Sequence, residues 1–235
     1  TRLCSSAASD VYKRQSLHDD VLIGSDGDND FRIEGGSNIV DGGLGSDRID
    51  YKTRQDGGVT VDLDAGSATN ALGGTDTLTS IENVRGSRFD DVITGDSNDN
   101  YLNAGDGDDV IKGGAGNDQL YGGDGNDRLD GGAGADQFIG SQGNDTYRFG
   151  LGDDVIDYSD LREAITLIRG GSVDKGLNGI DTFQDFYEKI IATRASDDWI
   201  DGITGGGETA SLVANLSTQK LTVSNLPGVG SFSSQ

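Results

Sequence analysis

The sequence predicts an all-β fold in which many short strands are joined by glycine-rich turns. Glycine accounts for 39 of the 235 residues and only 33% are hydrophobic, so an ordinary packed core is doubtful. A nine-residue pattern, Gly-Gly-x-Gly-x-Asp-x-apolar-x, repeats through the middle of the chain. Its glycines suit tight turns, and its apolar position suits a brief strand with one buried side chain. These features together predict a coil of stacked repeats.

The pattern is strictest in the units 113–121, 122–130 and 131–139. The same phase continues back to residue 86 and forward to residue 157, which gives eight units. High charge with few aromatic residues is also typical of disordered chains. The strict period argues against disorder, because a solvated tail does not need a regular nine-residue repeat.

The repeats divide the chain into blocks and spacers. Spacers of similar pattern begin at Tyr51 and Tyr158, so the larger unit is 158 − 51 = 107 residues long. Residues 1–15 share no period with the rest and resemble translated adaptor sequence, so we expect a disordered leader without function. The expected division is 1–15 leader, 16–50 short degenerate repeat block, 51–85 β-rich spacer, 86–157 main repeat block, 158–192 β-rich spacer, and 193–235 the truncated start of a further half-motif and spacer.

Charge and cysteine content restrict the partners. The formal net charge is -23, which would repel nucleic acid and anionic membranes and makes cations the natural partner. No apolar run approaches the roughly 18 residues of a membrane span. Cys4 is the only cysteine, so an intramolecular disulfide is impossible and another source of stability is needed.

Each position of the repeat has a chemical role. Glycines at the first, second and fourth places allow positive φ and leave carbonyl oxygens unobstructed. The sixth place adds a carboxylate, and calcium prefers six to eight oxygen ligands in a flexible geometry. Magnesium fits less well because it demands a stricter octahedron and sheds water reluctantly. Zinc and copper would require His or Cys, which the repeat lacks.

The eighth place supplies the predicted core. The inward residues are Ile93, Leu102, Ile111, Leu120, Leu129, Phe138, Tyr147 and Ile156. Two nonapeptides, about 18 residues, should make one full coil with a turn on each side. Sixth-place residues would then stack along two edges, Asp91, Asp109, Asp127 and Asp145 on one, and Asn100, Asp118, Asp136 and Asp154 on the other.

On these motifs the chain resembles the RTX, or hemolysin-type, calcium-binding proteins, strongly over 86–157 and weakly over 16–50 and 193–202. The resemblance implies a calcium-loaded parallel β-roll (an RTX solenoid) with β-rich spacer segments between repeat blocks, and type I secretion from a Gram-negative bacterium. It also implies that turn carbonyls and sixth-place aspartates bind several Ca2+ ions. The residues expected at the ions are Asp47, Asp91, Gly105, Gly107, Asp109, Gly114, Gly116, Asp118, Gly123, Gly125, Asp127, Gly132, Gly134, Asp136, Gly143, Asp145, Gly152 and Asp154.

Departures from the pattern indicate which turns should bind ions weakly and which should bind them well. Phe89 replaces a fourth-place glycine, Asn100 replaces an aspartate, and Ser141 takes a second-place glycine position. Sites near Phe89 and Asn100 are therefore the weakest. We expect the ions to be held best by the turns that begin at residues 104, 113, 122, 131 and 140.

Little in the sequence favours catalysis. His18, the only histidine, falls in a turn of a degenerate unit and is predicted to be an exposed loop residue. Adjacent carboxylates such as Asp108 and Asp109 resemble a glycosidase pair, but the repeat explains them better. Trp199 and Tyr187 are expected to pack the second spacer against the coil. No nucleophile elbow or phosphate-binding loop is present.

Two classes of function remain open. The first is a structural, adhesin-type segment of a secreted or cell-surface protein, with a surface or matrix partner that the sequence does not identify. The second is the calcium-binding module of an exported protease, lipase or epimerase whose catalytic domain lies elsewhere. The 107-residue unit favours the first class, because the resemblance implies that enzyme-borne repeats form a single block.

Overall fold

The computed structural model describes residues 17–54, 57–161 and 172–184, together with the backbone of seven further strands. Those strands are 2–5, 12–14, 166–168, 189–191, 199–201, 211–213 and 222–224. The regular structure of the described residues is β-strand, joined by turns, apart from one short 3₁₀ segment at Gly176–Asn178. No helix among them is long and apolar enough to cross a bilayer. The all-β prediction is confirmed.

The strands are short and, in chain order, have the following bounds. They are β1 (Arg2–Ser5), β2 (Tyr12–Arg14), β3 (Asp20–Ile23), β4 (Asp30–Arg32), β5 (Ile39–Asp41), β6 (Arg48–Asp50), β7 (Val59–Asp62), β8 (Ser67–Asn70), β9 (Thr75–Thr79), β10 (Asn83–Arg85), β11 (Val92–Thr94), β12 (Tyr101–Asp106), β13 (Val110–Ala115), β14 (Gln119–Asp124), β15 (Arg128–Ala133), β16 (Gln137–Ile139), β17 (Thr146–Leu151), β18 (Val155–Asp157), β19 (Thr166–Ile168), β20 (Ser172–Asp174), β21 (Ile180–Phe183), β22 (Lys189–Ile191), β23 (Trp199–Asp201), β24 (Ser211–Val213) and β25 (Thr222–Ser224).

Consecutive strands of the main block alternate between two parallel sheets. In one sheet β11, β13, β15 and β17 are neighbours, and in the other β10, β12, β14, β16 and β18 are neighbours. The pairing offset is 18 residues, as in Val110 opposite Arg128 and Leu120 opposite Phe138. One coil therefore contains two nonapeptides, and the predicted parallel β-roll is confirmed.

The two spacers have one topology. In the first, β7, β8 and β9 form an antiparallel meander that is inserted into one sheet between β5 and β11. In the other sheet β6 pairs directly with β10. The second spacer repeats this arrangement, with β19, β20 and β21 inserted between β17 and β23 while β18 pairs with β22. Each spacer thus adds a three-stranded meander to one sheet, and its last strand, β10 or β22, continues the other sheet.

The core lies between the two sheets, and each sheet contributes a row of apolar side chains to it. All eight predicted eighth-place residues, from Ile93 to Ile156, are at most 1% exposed, so this prediction is confirmed. Fully burying a side chain of this size stabilises the fold by about 1.5–3 kcal/mol. Near the second spacer the core becomes aromatic, because Phe138 packs edge-on against Phe149 with ring centroids 5.1 Å apart. Phe183 of the spacer joins this cluster, 5.5 Å from Phe149.

Candidate metal centre

The second- and fourth-place glycines form the turns between strands. In the unit 122–130, Gly123 has φ +111° and Gly125 has φ +146°, which is backbone that side chains with a Cβ rarely adopt. A Cβ at either position would also overlap a carbonyl oxygen of the coil below. Every predicted glycine shares this positive φ, namely Gly105, Gly107, Gly114, Gly116, Gly123, Gly125, Gly132, Gly134, Gly143 and Gly152.

The first-place glycine is required for a different reason than positive φ. Gly113, Gly122 and Gly131 are not in the left-handed region, contrary to the expectation that all three glycine places use it. A Cβ at these glycines would instead overlap the carboxylate of the sixth-place aspartate of the same turn. Beside Gly113 the Asp118 carboxylate and the carbonyl oxygen of Gly131 converge on the space that a Cβ would fill. The missing side chain therefore leaves an oxygen-lined cradle.

One oxygen of each sixth-place carboxylate is used in the fold. Asp127 Oδ1 accepts the backbone N–H of Asp109 at 2.9 Å, and Asp136 Oδ1 accepts that of Asp118 at 2.9 Å. The same bond recurs from coil to coil along both edges, so the carboxylates form two hydrogen-bonded ladders. These ladders place the sixth-place residues 18 apart in a stack, as predicted.

The other oxygen has no protein partner in the middle of the block. The Oδ2 atoms of Asp109, Asp118, Asp127 and Asp136 are buried and accept no hydrogen bond. A buried polar atom without a partner costs about 1–3 kcal/mol, and more when it is charged. Burial raises the pKa of Asp109 and Asp118 to about 7 and that of Asp127 to about 8, and it also raises the pKa of Asp136. These four atoms are therefore positions where a cation would be stabilising.

The donor set around these atoms fits calcium. No group of three or more His, Cys, Asp or Glu side chains in the described ranges could hold a metal by itself. The turns offer one carboxylate oxygen each and several backbone carbonyls, an all-oxygen set that suits a hard cation with flexible geometry. Soft transition metals would lack the nitrogen or sulfur ligands they prefer.

At the start of the main block, the protein itself supplies hydrogen-bond donors to both oxygens of the sixth-place carboxylate. Asp91 was expected at an ion, but its Oδ2 accepts the Ser87 N–H at 2.6 Å, and its Oδ1 accepts the Ser87 hydroxyl at 2.9 Å and the Val59 N–H at 2.7 Å. Both carboxylate oxygens are thus used, which differs from the expectation for this residue. Asn100 likewise donates its amide to the Glu82 carbonyl at 2.9 Å, and its low rank as a site stays a prediction.

At the end of the block a lysine meets the carboxylate. Asp145 was expected at an ion, yet its Oδ2 lies 3.0 Å from Nζ of Lys175, which belongs to the second spacer. Gly143 in the same turn keeps the predicted positive φ of +120°. The turn that begins at residue 140 therefore differs from the four before it, because its carboxylate already has a cationic partner.

Two further predicted residues are placed in the ladders. Asp154 Oδ1 accepts the Asp136 N–H at 2.8 Å, and Asp47 Oδ1 accepts the Asn29 N–H at 2.7 Å. Both side chains are buried. Their role at an ion, with that of Gly152, stays a prediction.

Sequence reasoning missed the spacer residues that join the ladders. Asp76 of the first spacer and Asp181 of the second each accept a tyrosine hydroxyl, from Tyr51 at 2.9 Å and from Tyr158 at 2.6 Å. Each aspartate also continues a ladder across its spacer, since Asp181 Oδ1 accepts the Asp145 N–H at 3.0 Å. The shared phrase Gly-x-Asp-Thr in both spacers was the available signal.

The residues considered for catalysis do not assemble a site. His18 is exposed, as predicted. Asp108 is exposed while its neighbour Asp109 is buried, so the pair does not face a common point. The side chains of Trp199 and Tyr187 lie outside the described residues, and their packing role stays a prediction.

Comparison with known proteins identifies the repeats. The family described as RTX calcium-binding nonapeptide repeat (4 copies) matches residues 16–49, 78–111, 85–120, 94–129, 103–138 and 121–156. Among solved structures, the extracellular lipase LipA from Serratia marcescens matches with 17% identity and a TM-score of 0.17 over 76% of this chain. This chain spans 38% of that lipase. No curated protein matches. With its coil of glycine turns and aspartate ladders, the chain carries RTX calcium-binding nonapeptide repeats over residues 16–49 and 78–156.

Proposed function

We propose that this chain binds several calcium ions in the turns of residues 104–136, and that the ions stabilise the coil of a secreted or cell-surface protein. The observation that carries the proposal is the set of four buried carboxylate oxygens without a protein partner, on Asp109, Asp118, Asp127 and Asp136. Each sits in a turn whose second- and fourth-place glycines have positive φ. Gly105, Gly107, Gly114, Gly116, Gly123, Gly125, Gly132 and Gly134 build these turns.

Charge supports a divalent cation over a neutral ligand. Stacked carboxylates about 5 Å apart would repel by roughly 3 kcal/mol per pair at an effective dielectric near 20. When bound, calcium supplies the positive charge that these aspartates lack. At ten times the dissociation constant each site contributes about 1.4 kcal/mol, so four sites contribute about 6 kcal/mol. A whole domain is stable by about 5–15 kcal/mol, so the ions would supply a large share of the total.

The remaining predicted ligands divide into two groups. Asp47, Gly152 and Asp154 are proposed as additional ligands, because their turns keep the repeat geometry. Asp91 and Asp145 are excluded from the proposal, because the protein supplies partners for both oxygens of Asp91 and a lysine for Asp145.

Export fits the expected affinity. RTX proteins are typically secreted by bacteria, and extracellular calcium modules have dissociation constants of about 10⁻⁴ to 10⁻³ M. Such a chain would stay open at the low calcium of the cytoplasm and fold outside, since metal binding energy here is folding energy. We place it outside a Gram-negative cell on these grounds.

An adhesin-type structural segment is the role we propose for the fragment. Its support is the recurrence of the same meander spacer after 107 residues, which builds a longitudinal array and not a single terminal block. The calcium-binding module of an exported enzyme is the alternative. Sequencing the flanking gene separates the two, because a catalytic motif upstream would select the enzyme.

Calcium titration of the full chain tests the binding proposal. Far-UV circular dichroism should show the strand signal rising as calcium replaces EGTA, with isothermal titration calorimetry counting the ions. Magnesium at the same concentration is the control and should restore little of the signal. A strand signal that is already complete in EGTA, with no heat of calcium binding, would refute the proposal.

A further inference from the structure

Lys175 is a fully buried cation in a chain that is otherwise strongly acidic. The residue follows β20 in the second spacer, and its side chain is 0% exposed. Its Nζ lies 2.6 Å from the Ser141 carbonyl oxygen, 2.6 Å from Asp181 Oδ1 and 3.0 Å from Asp145 Oδ2. An ammonium group has three donors and no acceptor, so three oxygens satisfy it completely. Buried charges persist when they are paired in this way.

The same place one coil earlier has no such partner. Asp127 and Asp145 are 18 residues apart on one edge, and the N–H of Asp127 donates to Asp145 Oδ1 at 3.0 Å. Asp127 Oδ2 is buried without a hydrogen-bond partner, whereas Asp145 Oδ2 is held by Lys175. The ammonium therefore binds Oδ2 of Asp145, and the equivalent oxygen of Asp127, one coil earlier, has no partner.

We propose that Lys175 is a built-in replacement for a metal ion, which closes the Asp145 turn so that this turn takes no calcium. The inference rests on the proposed calcium function and adds where the series of ions ends on the edge that carries Asp109, Asp127 and Asp145. Its three oxygen partners, one carbonyl and two carboxylates, are the type of donor that calcium prefers. Removing the lysine would therefore leave a pocket of oxygens suited to an ion.

The first spacer provides an internal comparison. The meanders align through Thr77 opposite Ser67 and Thr182 opposite Ser172, so Asn70 occupies the position of Lys175. At that junction the sixth-place residue is Asn38, which stands where the second has Asp145. The Asn38 amide Nδ2 donates to Asp76 Oδ1 at 2.5 Å and to the Gly35 carbonyl at 3.1 Å.

At the two junctions, the buried spacer aspartate thus receives hydrogen bonds from different groups. Where the ladder residue is a neutral amide, its N–H groups donate to Oδ1 of the facing Asp76, and the spacer carries an asparagine. Oδ2 of Asp76 accepts the Tyr51 hydroxyl, and the buried Arg54 acts on this carboxylate from nearby. Where the ladder residue is a second carboxylate, the spacer carries a lysine. The chemistry at the ladder position and at the spacer position changes together, as expected if the lysine balances the added charge.

The experiment counts calcium ions on the full chain by isothermal titration calorimetry, with circular dichroism as the check on folding. Lys175→Ala should bind one ion more than the wild type. The double variant Asp145→Asn with Lys175→Asn, which gives this junction the two asparagines of the first, should bind the wild-type number. Asp127→Asn is the matched control on the same edge and should bind one ion fewer.

The outcomes separate this inference from the calcium proposal itself. A wild-type chain that binds no calcium would overturn both. A folded Lys175→Ala chain with no additional ion would overturn only the role of the lysine. If Lys175→Ala does not fold, the double variant decides, because loss of one ion there would mean that Asp145 binds calcium in the wild type and would refute the inference.

Discussion

Replacing Asp127 by asparagine should remove one calcium site and change the calcium dependence of stability by a calculable amount. Asp127 is buried in the middle of its ladder, where Oδ1 accepts the Asp109 N–H at 2.9 Å and Oδ2 has no partner. Asparagine can keep the first bond through its amide oxygen but places an NH2 group where the open oxygen was. Asn100 shows that a ladder position accommodates this side chain.

The magnitude follows from binding linkage. Near saturation each bound ion adds about 1.4 kcal/mol to the free energy of unfolding for every tenfold rise in calcium. The four open carboxylates alone contribute a slope of about 5.6 kcal/mol per tenfold, to which ions at the Asp47 and Asp154 turns would add, and Asp127→Asn should lower the slope by about 1.4 kcal/mol.

Urea unfolding at a series of saturating calcium concentrations measures this slope. Asp124→Asn is the control, because it removes the same charge from an exposed side chain of the same unit and should leave the slope unchanged. If Asp127→Asn lowered stability equally at every calcium concentration, Asp127 would be a purely structural residue and the assignment of its open oxygen to a metal would be refuted.

Two other predictions concern pH and the turn glycines. Burial raises the pKa of Asp109 and Asp118 to about 7 and of Asp127 to about 8, against about 3.9 in an unfolded chain, so the folded chain holds more protons between pH 4 and 8. Stability in EGTA should therefore fall as the pH rises through this range, and calcium affinity should rise because ions and protons compete; a pH series of circular dichroism and calorimetry showing no such opposition would contradict this. Gly125→Ala should destabilise the calcium-loaded chain by about 1–3 kcal/mol or more in urea unfolding, since φ is +146° and a Cβ meets backbone, whereas Gly27→Ala, which has open space and no positive φ, should change stability little.

The coil could be predicted from the sequence because glycine, aspartate and apolar residues recur with the same period as its turns and strands. An apolar residue such as Leu120 recurs every nine positions, and two units return the chain to the same sheet, so both the core and the 18-residue register followed. The turns were also predictable, apart from the first-place glycine, whose role depends on where the carboxylate of the same turn points. The contact between a first-place Cβ and that carboxylate cannot be predicted from the backbone preference of glycine.

The partners of the aspartates at the ends of the carboxylate ladders could not be predicted in the same way. Lys175 lies 30 positions from Asp145 in the chain, and only the fold of the meander brings them together. Ser87 stands at a second-place glycine position, but its bonds to Asp91 depend on a turn conformation that the repeat does not encode. Substitutions at the second place of the repeat, as at Ser87 and Ser141, mark the turns where the protein supplies its own partner.

The way each spacer enters the structure has a mechanical consequence. Because the first meander pairs with β5 on one side and β11 on the other, while β6 pairs directly with β10, backbone hydrogen bonds connect the two repeat blocks through both sheets. Tension along the coil would be carried across that joint by ladders of backbone hydrogen bonds and not by a flexible tether. Two repeat blocks can therefore be joined through a spacer of this kind while both sheets stay continuous.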